Sequence, residues 1–312
     1  MTTVLITGVA GFIGSNLADR LLSDGRYRVV GVDNLSYGLR DQVPPEVEFH
    51  QLDIRGKEIY GLFRGVDYVF HLAAKNSIVD CQENPVDTAD TNVHGTVNVF
   101  EAARRGGVKK IIYAESSAMY EGSAVLPTPE TEVHPQSFYA VSKSATMLFA
   151  EAYARYYGLA STALRYFCVY GPRQDYRRTV PPLFSAFIIR LLRSQQPVIY
   201  GNGEKRRDFV HVDDVNRFHL QCMTDERTNG KVFNLGSGTN YSVNEIFAVI
   251  ARLLESRLRP VYKPDLPGEA LANLADITRA RTLGWEPRIG LEEGIRTSIE
   301  FLRAEMRKGN IA

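Results

Sequence analysis

The amino-terminal segment constrains this chain more than any other stretch. Val4-Leu5-Ile6, an apolar run of strand length, leads directly into Thr7-Gly8-Val9-Ala10-Gly11-Phe12-Ile13-Gly14, and an amphipathic stretch from Ser15 to Leu22 follows. Glycines at that spacing permit a tight turn and bring backbone N–H groups up to a pyrophosphate at a helix N-terminus, where the dipole favours negative charge. In a chain with 25 glycines the triplet alone is weak. Its place after the first strand and at the opening of a helix decides the matter. Asp33 ends the next apolar run, close to the ~20-residue offset at which a carboxylate accepts from adenosine ribose hydroxyls. A carboxylate there repels a 2′-phosphate, so NAD is expected rather than NADP. Asp53, in Gln51-Leu52-Asp53-Ile54, ends a third run, where it reaches an adenine amino group or simply forms a turn.

Short apolar runs continue to alternate with amphipathic stretches, the mark of a parallel sheet covered on both faces. Strands are expected at Thr3–Thr7, Arg28–Asp33, Val47–Gln51, Tyr68–Leu72, Lys110–Ala114 and Ser161–Phe167. The fold class is therefore α/β, a doubly wound sheet. After Phe167 the regular alternation stops at Tyr170-Gly171-Pro172-Arg173, and a smaller lobe is expected from there. A chain of 312 residues agrees with two unequal lobes, since single cores stop growing near about 300 residues. Ligand is expected in the cleft between them.

Composition narrows the partners. Thirty-seven Lys plus Arg balance thirty-six Asp plus Glu, with no block of like charge to hold nucleic acid or an acidic membrane surface. No apolar run reaches the ~18 residues of a membrane span, and the N-terminus lacks a basic leader, so a cytoplasmic protein is expected. Cys81, Cys168 and Cys222 have no C-x-x-C spacing; reduced thiols, without disulfide or metal, are expected.

Tyr139 and Lys143 stand four apart at the start of a helical stretch, Ser137 to Tyr157, and share one face. A phenol with pKa near ~10 becomes a base near neutrality when roughly 4 kcal/mol of differential stabilisation favours phenolate, and a neighbouring ammonium and a nicotinamide cation supply it. Taken alone, the pair is equally a solvated helical pair. Glu115-Ser116-Ser117-Ala118-Met119-Tyr120 places hydroxyls at the carboxyl edge of the sheet, where open α/β folds bind ligands; by themselves such serines are also cap or turn residues.

With these go His71-Leu72-Ala73-Ala74, Asn92-Val93-His94-Gly95-Thr96, Leu164-Arg165-Tyr166-Phe167, Arg207-Asp208-Phe209-Val210-His211-Val212-Asp213 and Asn234-Leu235-Gly236-Ser237-Gly238. The set resembles the extended short-chain dehydrogenase/reductases of the NAD-dependent epimerase/dehydratase family over nearly the whole chain, and most resembles the UDP-hexose 4-epimerases. The resemblance implies a Rossmann NAD-binding domain over 1–167 and a smaller α/β nucleotide-sugar-binding lobe over 168–312, with segments around 205–235 returning to the first. It implies that Tyr139 deprotonates a sugar hydroxyl, Ser116 hydrogen-bonds that oxygen, and Lys143 holds the nicotinamide ribose. Cofactor contacts are expected from Gly8, Gly11, Phe12, Ile13, Gly14, Asp33, Asn34, Asp53, Ile54, Leu72, Ala73, Ala74, Lys75, Asn92, Tyr139, Lys143 and Tyr166. Substrate contacts are expected from Ser77, Ser116, Ser117, Ala118, Cys168, Val180, Tyr200, Arg207 and Asn273. The resemblance also implies a homodimer in which the helix around Asp87–Arg105 and the helix of Tyr139 join their symmetry mates in a four-helix bundle. Met147, Leu148, Phe149, Ala150, Ala152, Tyr153 and Ala154 leave more apolar surface than one sheet covers.

Within the family, dehydratases carry Asp-Glu after that Ser or Thr, and decarboxylases a Glu; Ser117-Ala118 here has no proton-transferring group, which favours 4-epimerisation. Another reaction of the same family ranks second, and a noncatalytic NAD-bound scaffold third. Several positions depart from the family pattern. Cys168 stands where Asn is usual, Leu266 where many 4-epimerases have a pyrophosphate Arg, and Glu121 where glycine follows V-Y. Arg207 remains as a phosphate cation; Arg173, Arg177, Arg178 or Lys263 supplies a second, or forms a solvated surface. Glu121 is read as a loop residue, with proton transfer as the alternative. The resemblance implies that Asn273 borders the sugar C2 substituent with room for an acetamido group; otherwise it is a turn residue away from the sugar.

Overall fold

The computed structural model describes residues 1–178, 181–265 and 270–311; Val180 and Leu266 lie outside them. The chain opens with β1 (Thr2–Thr7), α1 (Phe12–Asp24), β2 (Tyr27–Asp33), β3 (Glu48–Gln51) and β4 (Tyr68–His71). Next come α2 (Ile78–Glu83), α3 (Pro85–Ala89), α4 (Gly95–Gly106), β5 (Lys110–Ser116), α5 (Phe138–Tyr157) and β6 (Ala160–Tyr166). The remainder holds β7 (Cys168–Tyr170), α6 (Leu183–Leu192), β8 (Val198–Tyr200), β9 (Arg206–His211), α7 (Val212–Thr224) and β10 (Lys231–Leu235). It closes with β11 (Asn240–Ser242), α8 (Val243–Leu253), β12 (Val261–Lys263), α9 (Thr278–Arg281) and α10 (Leu291–Arg307).

The main sheet has the order β10-β6-β5-β4-β1-β2-β3, and every pairing from β6 to β3 is parallel. Val4, Leu5 and Ile6 are wholly buried, so both faces of β1 are covered and its run is apolar throughout instead of alternating. The fold is the doubly wound α/β class. Chain order reverses between β1 and β4, and the crevice at the carboxyl ends of those strands is where such folds take ligands. The six expected strands are present; β10 is a seventh that the sequence pattern does not reveal.

The sequence leads one to expect a single helix around Asp87–Arg105. The structure instead has α3, a single π turn at Asp90–His94 and then α4, with Asn92 buried in the turn. Single π turns inside helices occur frequently at functional sites.

The chain folds into two compact units, one of 1–125, 129–166 and 216–234, the other of 126–128, 167–215 and 235–311 among the described residues. The first has a core built on Leu5, Val69, Phe100, Ile111 and Ala163. In the second, Tyr170, Phe184, Phe187, Ile246 and Ile295 form a separate core. Its strands make a three-stranded sheet, β11-β9-β7, and a parallel pair, β12-β8. Among the described residues no helix is long and apolar enough to cross a membrane.

Candidate active site

The glycine-rich turn lies at the switch point. Gly8 has φ +76°, and a Cβ there would stand 2.8 Å from the Ala73 backbone nitrogen; at Gly14 it would stand 2.2 Å from the Gly8 carbonyl oxygen. Only glycine fits either place. Gly11, the N-cap of α1, offers no side-chain cap, and the first turn holds no acidic residue. The helix start at Phe12 and Ile13 thus keeps its positive end for an anion.

Asp33 fixes this cradle. One carboxylate oxygen accepts from Ala10 N at 3.0 Å and the other from Leu35 N at 2.8 Å, while burial pushes the carboxyl pKa up against those two donors. Asp53 is turned to protein partners. It accepts from Arg55 Nε at 2.9 Å, Arg55 Nη2 at 2.8 Å and Asn34 Nδ2 at 2.9 Å, so Arg55 holds its carboxyl well below the usual range. Neighbouring Ile54 is buried, with its carbonyl accepting from Asn98 Nδ2 at 2.7 Å.

Ser116 ends β5 and caps the short 3₁₀ turn Ser117–Tyr120; its Oγ accepts from Ala118 N at 3.2 Å. Tyr139 and Lys143 lie on the buried side of α5, one turn apart. Lys143 Nζ donates to Ala114 O at 3.0 Å. Desolvation brings the Lys143 pKa down to about 8, opposed by the Glu115 carboxylate.

Asn92 stitches the β4 loop to this helix. Its Nδ2 donates to Lys75 O and to Ser142 Oγ, each at 2.9 Å, and its Oδ1 accepts from Lys75 N at 2.8 Å. Both amide hydrogens are committed to protein. Lys75 Nζ is likewise committed, to Asp87 at 2.8 Å. Tyr166 and His219 form a buried pair at 2.6 Å, with the imidazole Nδ1 on Asn216 Oδ1 at 3.1 Å. Ser77 caps α2, accepting from Asp80 N at 3.2 Å.

The sequence motifs do not join Glu115 to Arg165, yet the structure does. Opposite each other in β5 and β6, both buried, they meet at 2.6 Å, and Arg165 also donates to Tyr120 Oη and Glu130 O. Strand register brings them together, and only an expectation of which strands pair could have found them. His71 is a second case. It lies between Thr7 Oγ1 at 2.7 Å and Thr96 Oγ1 at 2.9 Å; burial, with the Lys143 charge, lowers its pKa to about 3.

In the second unit Asp208 is the organiser. Its carboxylate accepts from Ser237 Oγ at 2.8 Å, Gly238 N at 3.1 Å and Ala275 N at 3.0 Å, gathering two motif loops onto β9. Asn273 is held beside it: Oδ1 accepts from Asp208 N at 2.7 Å, and Nδ2 points to Cys168 Sγ at 3.9 Å. The resemblance-matched positions Cys168 and Asn273 are thus neighbours. Arg207 Nη1 donates to Arg206 O at 2.9 Å, and Arg177 and Arg178 both pair with Asp175 at 3.3 Å. Tyr200 ends β8 in register with Lys263. Among the described residues no group of His, Cys, Asp and Glu is placed to hold a metal.

The profile of the NAD dependent epimerase/dehydratase family matches residues 4–236. The chain belongs to that family. It is 36% identical to a UDP-glucose 4-epimerase of Mycolicibacterium smegmatis over 309 residues, 96% of this chain and 98% of that one. Among solved structures, a UDP-glucose 4-epimerase of Thermotoga maritima with UDP-glucose superposes with a TM-score of 0.94 at 38% identity, covering 98% of this chain and 100% of that one. A UDP-N-acetylglucosamine 4-epimerase of Methanobrevibacter ruminantium M1, in complex with UDP-N-acetylmuramic acid, gives 0.94 at 31% identity, covering 98% and 99%. The protein is an NAD-dependent epimerase, and its own residues fit that cofactor. The Gly8–Gly14 cradle that a Cβ would fill and the side-chain-free start of α1 suit a diphosphate, and Asp33 suits a ribose.

Proposed function

We propose that this epimerase inverts C4 of a UDP-sugar, either UDP-glucose or UDP-N-acetylglucosamine, by oxidation and re-reduction at that carbon. The composition of the turn after Ser116 carries this reading. Ser117 and Ala118 offer no side chain able to transfer a proton near neutral pH, so Tyr139 is left as the group for a single hydroxyl. Bound NAD supplies a hydride acceptor and donor. Tyr139 takes the C4 hydroxyl proton and returns it; Ser116, whose Oγ accepts from Ala118 N, directs its own hydrogen at the same oxygen. Lys143, one turn along α5, stabilises the phenolate by charge.

The same reading makes the enzyme a homodimer. On α5, Phe138, Val141, Leu148 and Tyr156 are exposed, Tyr156 at 75%, and Val86 on α3 at 78%. A four-helix bundle formed by the segment around Asp87–Arg105, taken as one helical run through α3 and α4, and by α5, each with its symmetry mate, would cover these side chains. A monomer near 35 kDa in sedimentation at micromolar concentration would remove that part.

The test of the reaction is product analysis by NMR after incubation with UDP-glucose, UDP-galactose and UDP-N-acetylglucosamine. C4 epimers without net cofactor consumption are expected. A dehydrated keto sugar would place the enzyme in another branch of the family, and no turnover of any UDP-sugar would reject the substrate class.

A further inference from the structure

We propose that Glu121 is a positioning residue, which sets the catalytic tyrosine against the catalytic serine by clamping the N-terminus of α5 to the turn that begins at Ser116. Glu121 is the C-cap of that 3₁₀ turn, and Ser116 is its N-cap. The carboxylate reaches across the chain. Oε2 accepts from Ser137 N at 2.8 Å and Gln136 N at 3.2 Å, and Oε1 accepts from Ser137 Oγ at 2.9 Å. Ser137 is in turn the N-cap of α5, its Oγ accepting from Ala140 N at 3.1 Å. A closed circuit therefore runs from Ser116 through the turn to Glu121, on to Ser137, and into the first turn of the helix.

Tyr139 is the second residue of that helix. Helix ends fray, because the first N–H groups have no partner within the helix. A lone Ser cap offers one weak bond. The carboxylate adds charge-assisted bonds and a negative charge at the positive end of the helix. With its carboxylate spent on Ser137 and Gln136, Glu121 acts as a strut and not as a proton carrier. Removing it leaves the backbone ties Gly122 N to His134 O at 3.0 Å and His134 N to Met119 O at 2.8 Å, so the loop keeps its place while the helix start is released.

This role rests on the reaction proposed above, and steady-state kinetics of the NAD-loaded enzyme with UDP-glucose and UDP-N-acetylglucosamine test it. A shift of about 1 Å in a reacting group costs up to ~10²-fold, so Glu121→Ala is expected to lower kcat about tenfold, leaving KM within about twofold. Glu121→Gln, which keeps the acceptor for both N–H groups, should recover to within about threefold of wild type with both limbs of the pH profile in place. Glu121→Ala combined with Ser137→Ala should be no slower than the slower single variant. A Gln variant as slow as Ala with one pH limb lost would make Glu121 a proton-transfer group and overturn the proposal. Wild-type kcat in the Ala variant, with only a lower Tm, would reduce it to an ordinary cap. Should Glu121→Ala not fold, Glu121→Asp, one methylene too short, replaces it with the same expectations. If the wild type epimerises neither sugar, the reaction assignment fails by itself. Crystal structures of wild type and Glu121→Ala then decide the positioning claim, which an unmoved Tyr139 would overturn.

Discussion

The two units solve the placement of functional groups in different ways. In the first, backbone requirements at the carboxyl edge of the main sheet do the placing. Gly8 must have a positive φ, Gly14 must have no Cβ, and Ser116 and Ser137 must each cap the turn or helix that begins there. In the second, a single buried carboxylate, Asp208, pulls the 237–238 and 275 segments onto β9, and Asn273 rides on the same strand. Under the proposed function, local rules would place the chemistry in the first unit and leave recognition to the loops gathered in the second. Reaction type is therefore expected to be insensitive to changes in the second unit, and sugar choice to changes in the first.

The sharpest break of this comparison is Tyr139→Phe, which removes one transferable proton. Turnover should fall by more than about 10²-fold while NAD affinity by calorimetry is unchanged. A variant retaining more than about a hundredth of the wild-type rate would move the base elsewhere.

Next is the buried ion pair between β5 and β6. Arg165→Met leaves the buried Glu115 carboxylate without its guanidinium partner. Breaking a buried pair from one side costs about 3–5 kcal/mol, measured as a fall in urea midpoint with m unchanged. A loss below about 1 kcal/mol would mean that the site relaxes and takes in water.

A third effect belongs to the first unit. Burial lowers both His71 and His219 to about 3, against an ordinary value of 6.5. Above pH 6.5 the imidazoles are neutral in both states and cost nothing. Below it the unfolded chain gains protons that the folded chain refuses, so stability falls as pH drops toward 3, by about 1.4 kcal/mol per unit for each histidine. Urea titrations at several pH values check the slope, and His219→Gln should remove about one proton's share. An unaltered slope in that variant would show that His219 titrates normally.

The smallest effect probes the second unit. If Asn273 borders the sugar C2 group, Asn273→Tyr should shift kcat/KM toward UDP-glucose over UDP-N-acetylglucosamine, roughly 5- to 150-fold, because overpacking costs about 1–3 kcal/mol. Its Oδ1 bond to Asp208 N is lost as well, so Asn273→Ala is the control for that bond. Equal ratios in all three proteins would take Asn273 out of the sugar site.

What is legible in the chain follows the same division. The central strands β1, β4 and β5 are readable because they are buried along most of their length, which writes a run of apolar residues into the chain without help from distant segments; the edge strand β3, with no buried residue, carries the weakest such run. Ser137 to Tyr157 is readable as a helix because its cap and its Gly158 terminator, at φ 66°, are local. β10 is not, since it joins the β6 edge from a point far along the chain. Nor is the π turn at Asp90–His94, where Asn92 is aimed at Lys75 and Ser142 instead of continuing a helical face.

The alternating apolar runs, the glycine turn placed between a strand and a helix, and the full set of motifs from His71 to Gly238 are covalent facts of the chain; the first two indicated the fold class, and the set together carried the resemblance to the family. Tertiary structure decided what each side chain does with its hydrogen bonds. Asp53, legible as a strand-end carboxylate, also accepts from Arg55; Tyr166 pairs with His219; Glu121, legible as a substituted loop residue or a proton-transfer group, is the acceptor for the α5 cap. The reason is physical. A backbone conformation is dictated by the residue that adopts it, whereas a side-chain partner is chosen by burial, where every donor and acceptor removed from water must find another.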